Sequence, residues 1–130
     1  MKPAAFDYVR ADSAAAAAEL LQRHGDSARI LAGGQSLTAV LNMRLAQPAL
    51  LIDISRSAEM ASITVGPSAL RVGAAVTQAQ LQAHPDVPPL LALAFPHISH
   101  FQIRNRGTVA GSIAHADPSA ELPLCLLALE

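Results

Sequence analysis

Two apolar runs, Ala28-Arg29-Ile30-Leu31-Ala32 and Leu50-Leu51-Ile52-Asp53-Ile54, bracket a Gly-Gly pair and one helical stretch. That order limits the fold more than any other feature of the chain. Both runs read as strands, the second of them buried. Between them Gly33-Gly34 turns the chain, and Leu37, Val40, Leu41 and Leu45 form one face of a helix that Pro48 closes. A strand, a helix and a strand joined by short connections imply a parallel pair with a right-handed crossover. Upstream, Phe6 to Arg10 reads as a strand or extended arm. Asp12 or Ser13 then caps a helix through about His24, with Ala17, Leu20, Leu21 and His24 at i, i+3, i+4, i+7 and Gly25 ending it.

Downstream of Glu59 the pattern changes. Ile63-Thr64-Val65 and Leu70 to Ala74 flank Gly66-Pro67-Ser68-Ala69 and predict a hairpin. Thr77 and Gln80 have the spacing of a capping box, so a short helix runs to about Ala83. Pro88 or Pro89 occupies the first turn of the next helix, and Pro96 splits it, leaving a second segment from His97 to about Gln102. Ile103 to Ser112 is expected to be a shaped loop that Ile113 to Pro118 continues, with a final helix from near Ser119. The chain stops within the apolar run Leu122 to Leu129, which implies a cut through a domain. The expected organisation is an α+β fold: an α/β-type lobe with a βαβ unit over residues 1–59, and an incomplete second lobe over residues 60–130 that starts with the hairpin.

Composition narrows the class. The chain has 130 residues, with 52% hydrophobic but only 3% aromatic residues and no Trp, so its core must rest on Leu, Ile and Val. A net charge of −1 leaves no electrostatic footprint for nucleic acid or an anionic membrane. The apolar runs are too short to span a bilayer, and the N-terminus has no secretory-type apolar stretch. A cytoplasmic chain is expected. The single Cys125 excludes an internal disulfide and a cysteine-rich metal or iron–sulfur site, and reads as a core residue.

Two glycine-bearing segments carry the candidate chemistry. At Leu31-Ala32-Gly33-Gly34-Gln35-Ser36 the glycines admit close backbone approach, and Ser36 is placed to cap the helix that follows. Unpaired amides at such a turn favour a phosphate or another anion, although a plain strand-turn-helix connection uses the same residues. Thr108-Val109-Ala110-Gly111-Ser112 offers a second such segment. Arg104 and Arg106 beside it add charge or make structural hydrogen bonds. Asp117 before Pro118 accepts from a ligand hydroxyl or serves the turn. His97, His100, His115 and Asp117 invite a metal, but no His-Glu-x-x-His or cysteine pair closes a site. Gly-x-Ser-x-Gly, the P-loop and Gly-x-Gly-x-x-Gly are all absent, which argues against a serine hydrolase and a Rossmann nucleotide site.

Six motifs occur in order: Leu-Ala-Gly-Gly-Gln-Ser-Leu at 31–37, Asn-Met-Arg-Leu at 42–45, Leu-Ile-Asp-Ile at 51–54, Val-Gly-Ala at 72–74, Gln-Ile-Arg-Asn-Arg-Gly-Thr-Val at 102–109 and Gly-Ser-Ile-Ala-His-Ala-Asp-Pro at 111–118. Together they resemble the FAD-binding medium subunit of molybdenum hydroxylases, the carbon monoxide dehydrogenase and xanthine dehydrogenase family, from about Phe6 to the last residue. The resemblance implies the FAD-binding fold of the molybdopterin dehydrogenase type in truncated form. It implies that Leu31, Ala32, Gly33, Gly34, Gln35 and Ser36, with Thr108, Val109, Ala110, Gly111 and Ser112, hold the FAD pyrophosphate, and that Asp117 contacts the cofactor. Ala110-Gly111 departs from the Gly-Gly pair usual in the second segment. The resemblance also implies an oxidoreductase subunit with no catalytic acid or base of its own. Electrons would pass from a molybdenum-cofactor large subunit through an iron–sulfur small subunit to FAD, and on to an external acceptor. The competing expectations are an assembly or interaction module without flavin, and a different flavoenzyme of related fold. A valine at Gly33 or Gly111 is expected to abolish FAD retention without unfolding the domain.

Overall fold

The computed structural model describes residues 1–129; Glu130, the end of the expected second lobe, lies outside the described residues. Three short parallel strands form the first sheet: β1 (Asp7–Arg10), β2 (Ala28–Leu31) and β3 (Leu50–Asp53). Their order is β1-β3-β2, so β3 is central, with Ile52 opposite Val9 on one side and Ile30 on the other. All four β3 residues are buried, which explains a run of apolar residues without polar alternation. The expected parallel pairing is present, and the Phe6–Arg10 arm is a strand of the same sheet.

Helix α1 (Ala14–His24) joins β1 to β2. Ser13 Oγ accepts from Ala16 N at 3.1 Å and caps it, and Gly25 ends it. Its alanines let it lie close to the sheet, with Ala17 buried and Leu20 and Leu21 packed on the core of Ala28, Leu50, Ile52 and Ile54. Helix α2 (Leu37–Asn42) joins β2 to β3 and is shorter than its apolar spacing predicts. Arg44 adopts a left-handed φ of 57° and its Nε donates to the Lys2 carbonyl, so the chain leaves the helix before Leu45, which is 74% exposed.

The second part begins with the antiparallel hairpin of β4 (Ile63–Val65) and β5 (Leu70–Val72), closed by Gly66 N donating to Ala69 O at 2.8 Å. Helix α3 (Gln78–Gln82) has the full capping box expected from Thr77 and Gln80. Helix α4 (Pro89–Ala94) starts on proline and tightens into a 3₁₀ turn at Phe95–His97. The helical segment expected from His97 is not continuous. Ile98 is extended, Ser99 has φ 50°, and α5 (Phe101–Arg104) starts only afterwards. Arg104 Nη1 bonds the carbonyls of Ile98 and Ser99 at 2.8 and 3.0 Å, satisfying the acceptors that the break exposes.

The largest departure is α6 (Val109–His115), a helix where a loop was expected. Thr108 Oγ1 caps it by accepting from Gly111 N at 3.0 Å, and Val109 N donates to Val76 O across to the preceding segment. Tertiary anchoring at the first turn outweighs the low helix propensity of glycine. Helix α7 (Glu121–Leu127) closes the described chain. Val76, Leu81, Leu91, Phe95, Ile98, Val109, Leu122 and Cys125 form a second core separate from the first. Cys125 is buried there, as its apolar neighbours imply.

Asp53 ends the central strand as a buried carboxylate. The Tyr8 hydroxyl donates to its Oδ2 and Ser55 N to its Oδ1 at 2.7 Å. Burial pushes its pKa up, but the hydrogen bonds from Tyr8 and Ser55 and the nearby charge of Arg10 more than offset this and hold it below the usual carboxylate value. A folded-state pKa below the unfolded one stabilises the fold above the ordinary carboxylate range, and this is lost as pH falls through the folded value. Tyr8→Phe is therefore expected to cost about 1 kcal/mol near neutral pH. The gap to wild type should narrow in acid as Asp53 is protonated, read by urea denaturation at several pH values. An equal gap at all pH values would mean that the hydroxyl does not act through the carboxylate.

Candidate functional site

The connection from β2 to α2 leaves the carboxyl end of the parallel sheet, where open α/β sheets commonly bind ligands. Gly34 has φ +70°, a conformation that favours glycine, and its carbonyl accepts from Thr38 N at 3.0 Å to start α2. Ser36 is not the cap expected of it. It lies in helical conformation with no side-chain capping bond, because Gly34 has already set the turn. Gln35 Nε2 folds back to the Gly33 carbonyl at 3.0 Å. Among the described residues, the backbone N–H groups of Gly33, Gly34, Gln35 and Ser36 have no protein acceptor. Four unpaired amides on one turn are donors available to an anion.

Gly33 packs directly on the backbone of the second segment. A β-carbon there would collide with the Arg106 carbonyl oxygen and lie 2.6 Å from Gly107 Cα. On its other side, that segment pairs with the start of α3. Gln78 N donates to Gly107 O at 2.8 Å, Val109 N to Val76 O at 3.1 Å, and Thr77 and Thr108 form an antiparallel bridge. The capping threonines of α3 and α6 thus face one another, so two helix starts and the Gly33 turn converge.

Two cavities flank this junction, and Ala32 to Gln35 contribute to both. One, of about 490 Å³, is lined further by Leu31, Asn42, Asp53, Ser55 and Arg106. The other, of about 610 Å³, brings Ala32, Gly33, Gly34, Gln35 and Ser36 together with Thr108, Gly111, Ser112 and Asp117. Leu31 reaches only the first cavity. Val109 is a residue of the second core at 6% exposure, and Ala110 lines neither cavity. The second segment is therefore a capped helix start rather than a glycine cradle, and the amides of Val109 and Gly111 are already engaged.

Asp117 serves the turn, one of the two roles left open for it. Its Oδ1 accepts from Ser119 N and Oγ at 2.9 and 2.7 Å, and the residue lines the larger cavity. Those two bonds hold its carboxyl below the usual carboxylate value. Arg104 is structural, whereas Arg106 lines the smaller cavity. No group of three or more His, Cys, Asp or Glu positioned for a metal occurs among the described residues. Gln78 and Gly107 join the larger cavity without having been singled out in the sequence. Gly107 carried a signal, since it follows Arg106 within a motif; Gln78 carried none beyond its place after a capping threonine.

The matched family model describes an FAD binding domain in molybdopterin dehydrogenase and covers residues 4–130. The chain belongs to this family. It is 48% identical over 133 aligned positions to the 6-hydroxypseudooxynicotine dehydrogenase complex subunit alpha of Paenarthrobacter nicotinovorans, covering 100% of this chain and 45% of that protein. It is 40% identical to the carbon monoxide dehydrogenase medium chain of Hydrogenophaga pseudoflava, covering 100% of this chain and 46% of the relative. Among solved structures, carbon monoxide dehydrogenase from Hydrogenophaga pseudoflava matches with a TM-score of 0.90 and 41% identity over 95% of this chain and 44% of that one. Quinoline 2-oxidoreductase from Pseudomonas putida 86 matches at 0.89 and 40%, again over 95% and 44%. The chain thus spans less than half the length of these relatives.

The geometry revises what glycine substitutions report. A side chain at Gly33 strikes backbone, and one at Gly111 lies 2.6 Å from the capping Thr108 Oγ1, so neither tests ligand binding alone. Gly33→Ala is expected to destabilise the fold by about 1–3 kcal/mol through overpacking. Ser36→Ala, exposed and without a capping bond, should stay within about 0.5 kcal/mol of wild type. Chemical denaturation of the two variants checks this; equal stability would show that the Gly33 contact relaxes without cost.

Proposed function

We propose that this chain is the FAD-holding part of the flavin subunit of a molybdenum-containing hydroxylase or dehydrogenase. The observation that carries the reading is the set of unpaired amides on Gly33 to Ser36, in the wall of a cavity that also takes in Thr108, Gly111, Ser112 and Asp117. These residues fit the group. The amides suit a pyrophosphate, and two cavities sharing Ala32 to Gln35 suit a ligand with a phosphate centre and two bulky ends. Asp117 and Ser112 offer polar atoms to hydroxyls beside it.

The chain is read as two lobes, residues 1–59 and an incomplete 60–130, with the cofactor between them. The separate cores support this reading, with Met60 and Ala75 packing back on the first. Bound FAD supplies reversible one- and two-electron redox chemistry, which suits a relay from the iron–sulfur clusters of a small partner subunit to an external acceptor. In that assembly a molybdenum-cofactor large subunit would oxidise the substrate. This chain's own residues bind and orient: the Gly33–Ser36 turn holds charge, the Gly33–Gly107 contact sets the cavity shape, and no acid or base acts in a chemical step.

The test is binding of FAD to the purified protein, read by quenching of flavin fluorescence, with about one FAD per chain expected. Ser112→Leu places bulk in the cavity wall outside both cores. It should weaken FAD binding by about tenfold or more, equivalent to about 1.4 kcal/mol, at an unchanged melting temperature. Failure of the wild-type protein to take up FAD would overturn this reading and favour an assembly or interaction module.

A further inference from the structure

Gln78 is 7% exposed, and its Oε1 is the single buried side-chain polar atom without a hydrogen-bond partner among the described residues. Leaving such a group unpaired forfeits the hydrogen bonds it made to water, so an idle acceptor at this depth calls for a partner. Its position is tightly determined. The residue follows the Thr77 cap of α3, and its own N–H is tied to Gly107 O at 2.8 Å. The residue lines the larger cavity, with its Nε2 3.6 Å from where a β-carbon on Gly107 would stand; Gln35 Cγ is equally close to that point. The Gln35 amide is already engaged with Gly33 O, whereas Gln78 Oε1 has no hydrogen-bond partner.

The chemistry of the unpaired atom selects its partner. Oε1 is an acceptor, and a phosphate diester offers it no proton. A hydroxyl both donates to Oε1 and accepts from Nε2, and the broad terminal torsion of glutamine lets the amide turn to meet it. We propose that the Gln78 carboxamide binds the cofactor directly, through a sugar-alcohol hydroxyl next to the pyrophosphate. This rests on the FAD reading above. The hydroxyl belongs either to the ribityl chain on the flavin side or to the ribose on the adenosine side. Gln78 is thus a specificity group for the polyol, while the Gly33–Ser36 amides serve the charge.

The experiment compares the full chain with Gln78→Met, close to isosteric but without the amide, and Gln78→Glu, which keeps an acceptor. FAD affinity is measured by fluorescence quenching and the melting temperature without cofactor by calorimetry. Gln78→Met is expected to lose about tenfold in affinity. Without cofactor it should melt no lower than wild type, since an unsatisfied buried group has been removed. Gln78→Glu should lose less than Gln78→Met; a greater loss would place a phosphate at this position and overturn the hydroxyl assignment. Parallel titration with ADP and FMN separates the two hydroxyl sources, because a loss confined to ADP assigns the ribose and one confined to FMN the ribityl chain. Wild-type affinity for FAD in Gln78→Met overturns the proposal while leaving the FAD reading intact. Absence of FAD binding by the wild-type chain overturns both.

Discussion

The contact of Gly33 with the Arg106–Gly107 backbone is the constraint on which the candidate site depends. Two stretches of main chain far apart in sequence meet so closely that a single methyl group at position 33 has no room. One stretch leaves the carboxyl end of a parallel strand. The other runs beside the caps of two short helices, tied to them by Gln78 N to Gly107 O and Val109 N to Val76 O. Both stretches line the larger cavity, so residues from the two halves of the chain meet at one ligand-sized space.

Hydrogen bonding at this junction is divided unevenly, and the division has a chemical meaning. Thr77 and Thr108 cap their helices, Asp53 is satisfied by Tyr8 and Ser55, and Asp117 holds Ser119. Against that background of satisfied groups, the amides of Gly33 to Ser36 and the carboxamide of Gln78 stand out as donors and an acceptor without protein partners. The first set suits negative charge, the second a hydroxyl. Neither is a proton-transfer group, in keeping with the proposed role, in which the protein would contribute position and electrostatics to a redox cofactor.

Relatives at 40–48% identity share the domain across nearly the whole chain, and structures at about the same identity superpose with TM-scores near 0.90. The motifs that identify the family are largely the residues that make the junction. Gly33 and Gly107 allow the close approach, Thr108 and Gly111 form the capped turn, and Asp117 lines the larger cavity. Ala110, where the second segment departs from Gly-Gly, lines neither cavity, so its methyl group has no bearing on the cavity walls.

Local patterns determined much of this protein. Apolar runs defined β2 and β3, small-residue spacing and Ser13 defined α1, the Thr77–Gln80 pair defined the start of α3, and the two glycine-bearing segments marked part of the cavity wall. Each is a property of neighbours in the chain, governed by turn chemistry, caps and periodicity. The tertiary structure decided the rest. It ended α2 early because Arg44 turns away toward Lys2, and it made a helix of Val109–His115 because Val76 anchors that first turn. It buried Val109 in the second core and took Gln78 into the cavity. Those outcomes depend on which carbonyl, methyl group or empty space stands opposite a residue after the chain has folded, and no local spacing encodes that.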